Sequence, residues 1–197
     1  GVGLIATLLA AMTGDNSAYR VAQVQPMKLA AMEALYNGGK GESLTAIAAV
    51  HPFRQPDYES EQEPAMRIAI PNMLSFLATR TADGYVPGVN DIIKGYTHED
   101  GTREPSVQEK IARGKKAIVA LKTYRETKAQ DQLPILKENM KYFGYGYIKD
   151  AKELVPSIPI CFYAFRLMVG VGCLLILFFA LSLFLVYKKE IAQYRWF

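Results

Sequence analysis

The chain has 197 residues, of which 50% are hydrophobic and 21% charged, and its formal net charge is +4. Lysine and arginine are mixed with aspartate and glutamate, and no basic stripe or recognition motif occurs, so the sequence does not support a nucleic-acid partner. Both cysteines, Cys161 and Cys173, lie in one apolar run, about 18 Å apart on a helix, which excludes a disulfide between them and leaves the polar part of the chain without a thiolate metal site.

The first element is an apolar run over residues 2–12, shorter than the roughly 20 residues that span a bilayer. No basic stretch precedes it, as a signal peptide would require. We therefore interpret residues 1–13 as the end of a truncated transmembrane helix. A buried helix of a soluble protein or a signal-peptide core is the alternative interpretation.

A polar segment, residues 14–157, follows and is longer than a simple connector, and loops of this length are usually functional. Strong helix formers after Pro26 predict a helix over residues 24–36, which ends at Asn37-Gly38-Gly39. Three prolines and an acidic stretch predict extended and turn structure over residues 42–64.

The second half of this segment has further helical patterns. A helix is predicted to start near Pro71 and to continue to Thr79. Residues 106–126 approximate an amphipathic helix, and residues 133–143 repeat that character more weakly.

The last apolar segment, Ile158–Tyr187, is longer than the spanning minimum and contains a single charge, Arg166. Lys188, Lys189 and Arg195 follow it, which predicts that residues 188–197 form a cytoplasmic flank and that residues 14–157 form an extracytoplasmic loop. The fold class is therefore predicted as mainly α: a polytopic membrane protein fragment with a largely helical extracytoplasmic loop and one complete transmembrane helix.

Two residues of this last helix are candidates for chemistry. A charge in a spanning helix is costly, so Arg166 either faces a partner, a cavity or a bound group, or extends its side chain to the interface. The thioether of Met168 can ligate haem iron, although a methionine in an apolar helix is most often packing material.

Three charged residues at the start of the loop could serve proton-coupled chemistry. A quinol loses two protons with its two electrons, so the carboxylates of Asp15 and Glu33 and the amine of Lys28 would suit a site for its ring oxygens. Lys28 and Glu33 are about 140° apart on a helix and would flank a site rather than pair. Alternatively, Asp15 caps a helix and the other two are solvated surface charges. No ligand spacing surrounds His51 or His98, so we assign neither to a metal.

Seven stretches in chain order support a family resemblance. They are Gly14-Asp15-Asn16-Ser17, Gln25-Pro26-Met27-Lys28-Leu29-Ala30-Ala31-Met32-Glu33-Ala34, Ile70-Pro71, Leu77-Ala78-Thr79-Arg80, Val86-Pro87-Gly88, Gly144-Tyr145-Gly146 and Phe162-Tyr163-Ala164-Phe165-Arg166-Leu167-Met168. Together they resemble subunit I of the cytochrome bd quinol oxidases, over essentially the whole chain. The stretch between Gly88 and Gly144 resembles the extended form of that family's quinol loop.

The resemblance implies roles for the five candidate residues. Lys28 and Glu33 correspond to a quinol-binding lysine and glutamate, and Asp15 to an aspartate near the quinone, so Glu33 and Asp15 are also the expected proton-handling residues. Met168 corresponds to an axial ligand of the low-spin haem b iron, and Arg166 to an arginine that supports the same haem. The family's other haem ligands lie on helices outside this sequence, so the chain alone is not expected to be active.

The resemblance also implies the setting. The complete enzyme would be a quinol:oxygen oxidoreductase of the bacterial plasma membrane, with the loop on the periplasmic or outer side. It would contain a high-spin haem b and haem d besides the low-spin haem b, use ubiquinol or menaquinol, and assemble with a second large oxidase subunit, membrane lipid and small single-span subunits. The alternative is a membrane-anchored, non-catalytic extracytoplasmic binding domain.

Overall fold

A computed structural model describes residues 1–60, 66–98 and 100–188 of the chain. Within these residues the chain is mostly helical, and one helix, α7 (Ile158–Tyr187), is long and apolar enough to cross a membrane. The predicted fold class is therefore confirmed, and α7 has the bounds that the sequence predicted. Lys189 and Arg195 of the predicted cytoplasmic flank lie outside the described residues.

The first helix, α1 (Val2–Val24), continues beyond residue 13, so that Asp15 lies within it. Polar side chains are accommodated there because hydroxyls bond back to the preceding turn, as Ser17 does to the carbonyl of Thr13 at 2.9 Å. The helix ends at Gln25, since a residue that precedes proline avoids the helical conformation.

Pro26 begins the next helix, α2 (Pro26–Glu33), at the position where its missing N–H costs nothing. This helix ends earlier than predicted, at Ala34, which has a left-handed conformation with φ of 50°. The N–H of Leu35 then bonds the carbonyl of Ala30 at 2.9 Å, as in a Schellman motif. Because α2 ends early, Leu35 and Tyr36 lie outside the helix, and both are buried in the core.

In the described part of the loop, three two-stranded antiparallel sheets connect the helices. Their strand pairs are β1 (Gly39–Lys40) with β4 (Tyr85–Val86), β2 (Leu44–Ala48) with β3 (Arg67–Ile70), and β5 (Tyr96–Thr97) with β6 (Arg103–Glu104). The extended structure predicted after residue 42 includes β2. A register shift between Thr45 and Ile47 interrupts its ladder, a device that redirects backbone groups locally.

Three predicted helical patterns are confirmed by α3 (Met73–Thr79), by α5 (Val107–Thr127), and by α6 (Gln132–Asn139) with the 3-10 helix Met140–Tyr147 that follows it. The sequence did not predict α4 (Val89–Lys94) or the 3-10 helix Ala151–Leu154. Ser106 caps the N-terminus of α5, since its hydroxyl accepts the N–H of Glu109 at 3.2 Å.

Residues of the loop pack directly against the N-terminal end of α7. The main core packs Ala30 and Ala31 of α2 and Val89 of α4 against Ile158 and Phe162 of α7. These side chains are at most 1% exposed. The position of α7 relative to α2 is therefore set by burial of apolar surface.

A second attachment comes from the segment between β2 and β3. The amide of Gln55 donates to the carbonyl of Pro156 at 3.1 Å and accepts the N–H of Ile158 at 3.0 Å. The hydroxyl of Tyr163 donates to the carbonyl of Val50. Gln55 thus satisfies backbone groups that the start of α7 would otherwise leave without helical partners.

A close approach between two backbone segments of the loop allows a first prediction. A Cβ on Gly114 of α5 would lie 2.3 Å from the N atom of Gly146, so Gly114→Ala must separate α5 from the 3-10 helix and should destabilise this region by about 1–3 kcal/mol. We expect faster proteolysis of the loop in the complete membrane protein. The control is Gly144→Ala, whose Cβ would meet nothing within 4 Å. Equal cleavage rates for both variants would contradict the packing argument.

Candidate functional site

A buried ion pair joins the loop to the transmembrane helix. The side chain of Glu33, at the end of α2, is 2% exposed, and that of Arg166 on α7 is 15% exposed. Nη1 of Arg166 donates to Oε1 of Glu33 at 3.2 Å, and Nη2 donates to Oε2 at 2.7 Å. Nη1 also donates to the carbonyl of Met32 at 3.0 Å. The guanidinium therefore binds both a carboxylate and the carbonyl that precedes it.

Aromatic rings complete the surroundings of Arg166. Its guanidinium carbon lies 4.5 Å from the ring centroid of Phe162 and 5.2 Å from that of Phe165. A cation over aromatic faces gains electrostatic attraction in a poorly solvated place. The side chain thus reaches towards the loop and is paired there rather than solvated.

The strand β2 supplies a further donor to Glu33. The backbone N–H of Thr45 donates to Oε2 of Glu33 at 3.3 Å. The side chain of Arg67 on β3 holds this part of β2: its Nε donates to Oγ1 of Thr45 at 2.9 Å, and its Nη2 donates to the carbonyl of Ser43 at 3.1 Å. Two arginines from distant parts of the chain thus act on Glu33, Arg166 by direct hydrogen bonds and Arg67 through Thr45 and through its charge.

These surroundings act on the protonation of Glu33 in opposite directions. Burial raises the pKa of Glu33 above its ordinary value because it penalises the charged carboxylate. The charge and hydrogen bonds of Arg166, the N–H of Thr45 and the charge of Arg67 all lower this pKa. Glu33 is thus a carboxylate whose proton affinity depends on three specific neighbours.

Asp15, on α1, forms a separate ion pair with Arg80. Nη1 and Nη2 of Arg80 donate to its two carboxylate oxygens at 3.0 and 2.8 Å. Arg80 follows α3 in a left-handed conformation with φ of 64°, and its guanidinium lies 4.9 Å from the ring centroid of Tyr19. The hydrogen bond from Arg80 lowers the pKa of Asp15. Asp15 therefore does not cap a helix; it ties α1 to α3.

Lys28 is exposed in the first turn of α2 and lines a cavity of about 710 Å³. The opposite wall comes from the far end of the loop and includes Tyr142 and Tyr145. Lys110 also lines the cavity, but it is bound to Glu104 at 2.7 Å. The cavity therefore combines aromatic surface with the exposed cation of Lys28.

Met168 lies on a different face of α7. Two residues of a helix correspond to a rotation of about 200°, so the side chains of Arg166 and Met168 leave α7 in nearly opposite directions. Met168 is 63% exposed. Its thioether is accessible to a group or a helix beyond this chain.

Among the described residues, no group of three or more His, Cys, Asp or Glu side chains could hold a metal ion. A thioether falls outside that set of ligands. The atom Nε of Arg166 is buried without a hydrogen-bond partner among the described atoms. A buried donor of this kind is uncommon, because buried polar groups are usually hydrogen-bonded.

The structure thus gives each predicted site residue a different environment. Glu33 and Arg166 bind one another, Asp15 binds Arg80, Lys28 faces the cavity, and Met168 faces away from the loop. The interpretation of Glu33 as a solvated surface charge is wrong, because its side chain is buried.

Sequence reasoning assigned no role to Arg80, Arg67 or Thr45. Arg80 was visible only as part of a family stretch, and 65 positions separate it from Asp15. No local pattern in a single sequence marks such a pair. The two residues that support Glu33 carry no local signal either.

Comparison with known proteins identifies the family. The family model for "Cytochrome bd terminal oxidase subunit I" matches residues 1–197. The chain is similar to the cytochrome bd-II ubiquinol oxidase subunit 1 of Escherichia coli, with 30% identity over 98% of the chain and 38% of that protein. It is also similar to the cytochrome bd ubiquinol oxidase subunit 1 of Bacillus subtilis, with 25% identity over 100% of the chain and 30% of that protein.

The chain therefore spans between three tenths and two fifths of the length of these two relatives. The resemblance inferred from the seven stretches is confirmed over all 197 residues. This chain belongs to the cytochrome bd terminal oxidase subunit I family.

Proposed function

We propose that this chain is part of a terminal respiratory oxidase that oxidises membrane quinol and passes the electrons through haems to oxygen, which is reduced to water. Family membership supports the activity. The ion pair of Glu33 and Arg166 is the structural observation that supports the proposal, because it joins the loop, which holds the proposed quinol residues, to the helix that holds the proposed haem ligand.

The quinol site would use residues of the loop. Oxidation of a quinol to a quinone releases two electrons and two protons, so each ring hydroxyl needs a neighbour that accepts a proton. Glu33, with Asp15, would accept or relay these protons to the outer side, and Lys28 would bind a ring oxygen. The exposure of Lys28 in an aromatic cavity supports its role, because a quinone ring needs apolar contact and a hydrogen-bond donor.

Glu33 has properties that suit a proton acceptor. Its hydrogen bonds with Arg166 and Thr45 all stabilise the carboxylate, whereas burial favours the neutral acid. A proton that arrives on Glu33 would weaken its bond to Arg166. The electrostatic state of α7 would then change together with the oxidation of quinol.

The exposed thioether of Met168 fits a haem beside α7. Met168 would be a ligand of the low-spin haem b iron, and the bound haem would supply a one-electron acceptor for quinol oxidation. Arg166 leaves α7 in nearly the opposite direction and binds Glu33, so it would offset negative charge of a haem propionate or of the reduced haem across the helix rather than by direct contact.

The remaining parts of the proposal follow from the family. A high-spin haem b and haem d would lie elsewhere in the complete subunit, and the substrate would be ubiquinol or menaquinol. The complex would contain a second large subunit and small single-span subunits. It would lie in the bacterial plasma membrane with residues 14–157 on the periplasmic or outer side. A non-catalytic, membrane-anchored binding domain accounts less well for the same structure, because an anchor gains nothing from a buried arginine.

Glu33→Gln tests the proton acceptor. The amide cannot take up a proton, so we expect turnover of the complete oxidase with quinol to fall about 100-fold. The haem spectrum and oxygen reduction with an artificial donor that bypasses quinol should be retained. The control is Glu138→Gln, an exposed glutamate on α6. Unchanged quinol turnover in Glu33→Gln would exclude the assigned role.

Arg166→Leu tests the electrostatic link. Burial already raises the pKa of Glu33, and loss of the guanidinium removes the main influence that lowers it, so a larger fraction of Glu33 should be protonated at neutral pH. Infrared difference spectra of the complete complex with Arg166→Leu should then contain the band of a buried carboxylic acid. The control is the double variant Arg166→Leu with Glu33→Gln, whose spectrum should lack this band. A spectrum without this band in the single variant would show that Arg166 does not control the charge of Glu33.

Met168→Leu tests the haem ligand. Leucine keeps the volume but lacks the thioether, so a reduced-minus-oxidised optical spectrum should lose the low-spin haem b signal while the other haems are retained. The control is Leu167→Met, since Leu167 is 69% exposed on a neighbouring face. An unchanged spectrum of Met168→Leu would remove this residue from the haem.

A further inference from the structure

Two residues outside the seven family stretches, Thr45 and Arg67, contribute to the surroundings of the Glu33 carboxylate. Thr45 is 2% exposed and comes from β2, where the ladder is interrupted. Its backbone N–H points to Oε2 of Glu33, the oxygen that also accepts the shorter bond from Arg166. One carboxylate oxygen is therefore held from two sides, by α7 and by β2.

Arg67 fixes the part of β2 that provides this N–H. Its Nε binds the side chain of Thr45, and its Nη2 binds the carbonyl of Ser43. One planar guanidinium thus spans the two residues, and its rigid fork limits rotation of the intervening peptides. The charge of Arg67 also acts on Glu33, although the two side chains do not share a hydrogen bond in the described contacts.

We propose that Arg67 and Thr45 are positioning residues for quinol oxidation, which together hold the Glu33 carboxylate in the orientation that receives the substrate proton. This inference rests on the proposed function of Glu33. It assigns to the hairpin of β2 and β3 a role in the chemistry of the quinol site. Thr45 acts through its backbone N–H, and Arg67 acts through Thr45 and through its charge.

Among the described residues, the charged groups that act on Glu33 are Arg166 from α7 and Arg67 from β3. Loss of Arg67 removes one of these two cations and leaves the other. The neutral acid then becomes more favourable, so a base at this position works only at higher pH. The acid limb of the pH profile should therefore move upwards, with little change on its alkaline side.

The experiment measures quinol turnover of the complete oxidase against pH in Arg67→Gln and Thr45→Val. Valine keeps the backbone N–H and the shape of threonine but loses the hydroxyl that Arg67 binds. Both variants should lose severalfold activity at the acid end of the profile and shift its acid limb to higher pH, with the haem spectrum unchanged. Thr45→Ser is the conservative variant. It keeps the hydroxyl that Arg67 binds, so the acid limb of its pH profile should lie near the native position.

Arg103→Gln is the matched control for removal of a charge, because Arg103 lies in the same loop and is 70% exposed. It should leave the profile unchanged. The same substitutions are then made in Glu33→Gln. If the two residues act through Glu33, Arg67→Gln and Thr45→Val should have no further effect on the residual turnover.

The possible results distinguish a failure of this inference from a failure of the proposed function. A native pH profile in both Arg67→Gln and Thr45→Val, with Glu33→Gln impaired, overturns this inference but leaves the proposed function intact. Further loss in the Glu33→Gln background also overturns it, because the residues would then act by another route. Native quinol turnover in Glu33→Gln contradicts the proposed function itself.

Discussion

The arrangement of the loop on the transmembrane helix depends on one buried carboxylate. An ionised glutamate removed from water is costly unless hydrogen bonds replace its hydration. Glu33 receives donors from Arg166 and from the backbone of Thr45, which lie on different elements. The ends of α2, β2 and α7 must therefore meet at one place. Such a pair adds less to stability than an apolar contact of equal size, but it disfavours alternative positions of the loop on α7.

This constraint gives α7 two faces with different tasks. One face binds the loop through Phe162 and Arg166, and the other carries the exposed Met168. If Met168 ligates a haem, a single rigid helix lies between the quinol residues and the first electron acceptor. A change of charge at Glu33 would then act on the haem over a short path through Arg166, because charges interact strongly where water is excluded.

The sequence predicts the elements whose signals are local. The bounds of α7 follow from its apolar length, and α5 follows from its amphipathic pattern and its cap at Ser106. Local signals did not predict the end of α2, because burial of Leu35 and Tyr36 favours a left-handed turn at Ala34 over the later glycines. The partners of Asp15 and Glu33 were also missed, because both pairs join residues far apart in the chain. The residue types of the candidate site were visible in the sequence, but their pairing was not.

Of the three loop residues proposed for quinol oxidation, Glu33 is the one whose protonation can affect α7. The pair of Asp15 and Arg80 is more than one third exposed on each side, so water and salt screen any change in its charge. Lys28 is exposed, and its proposed role of binding a ring oxygen needs no change in its charge. A proton on Glu33 instead removes the charge opposite a guanidinium that is only 15% exposed, where little water can replace it. The hairpin of β2 and β3 contributes to the same balance, because the N–H of Thr45 donates to that carboxylate and Arg67 holds Thr45.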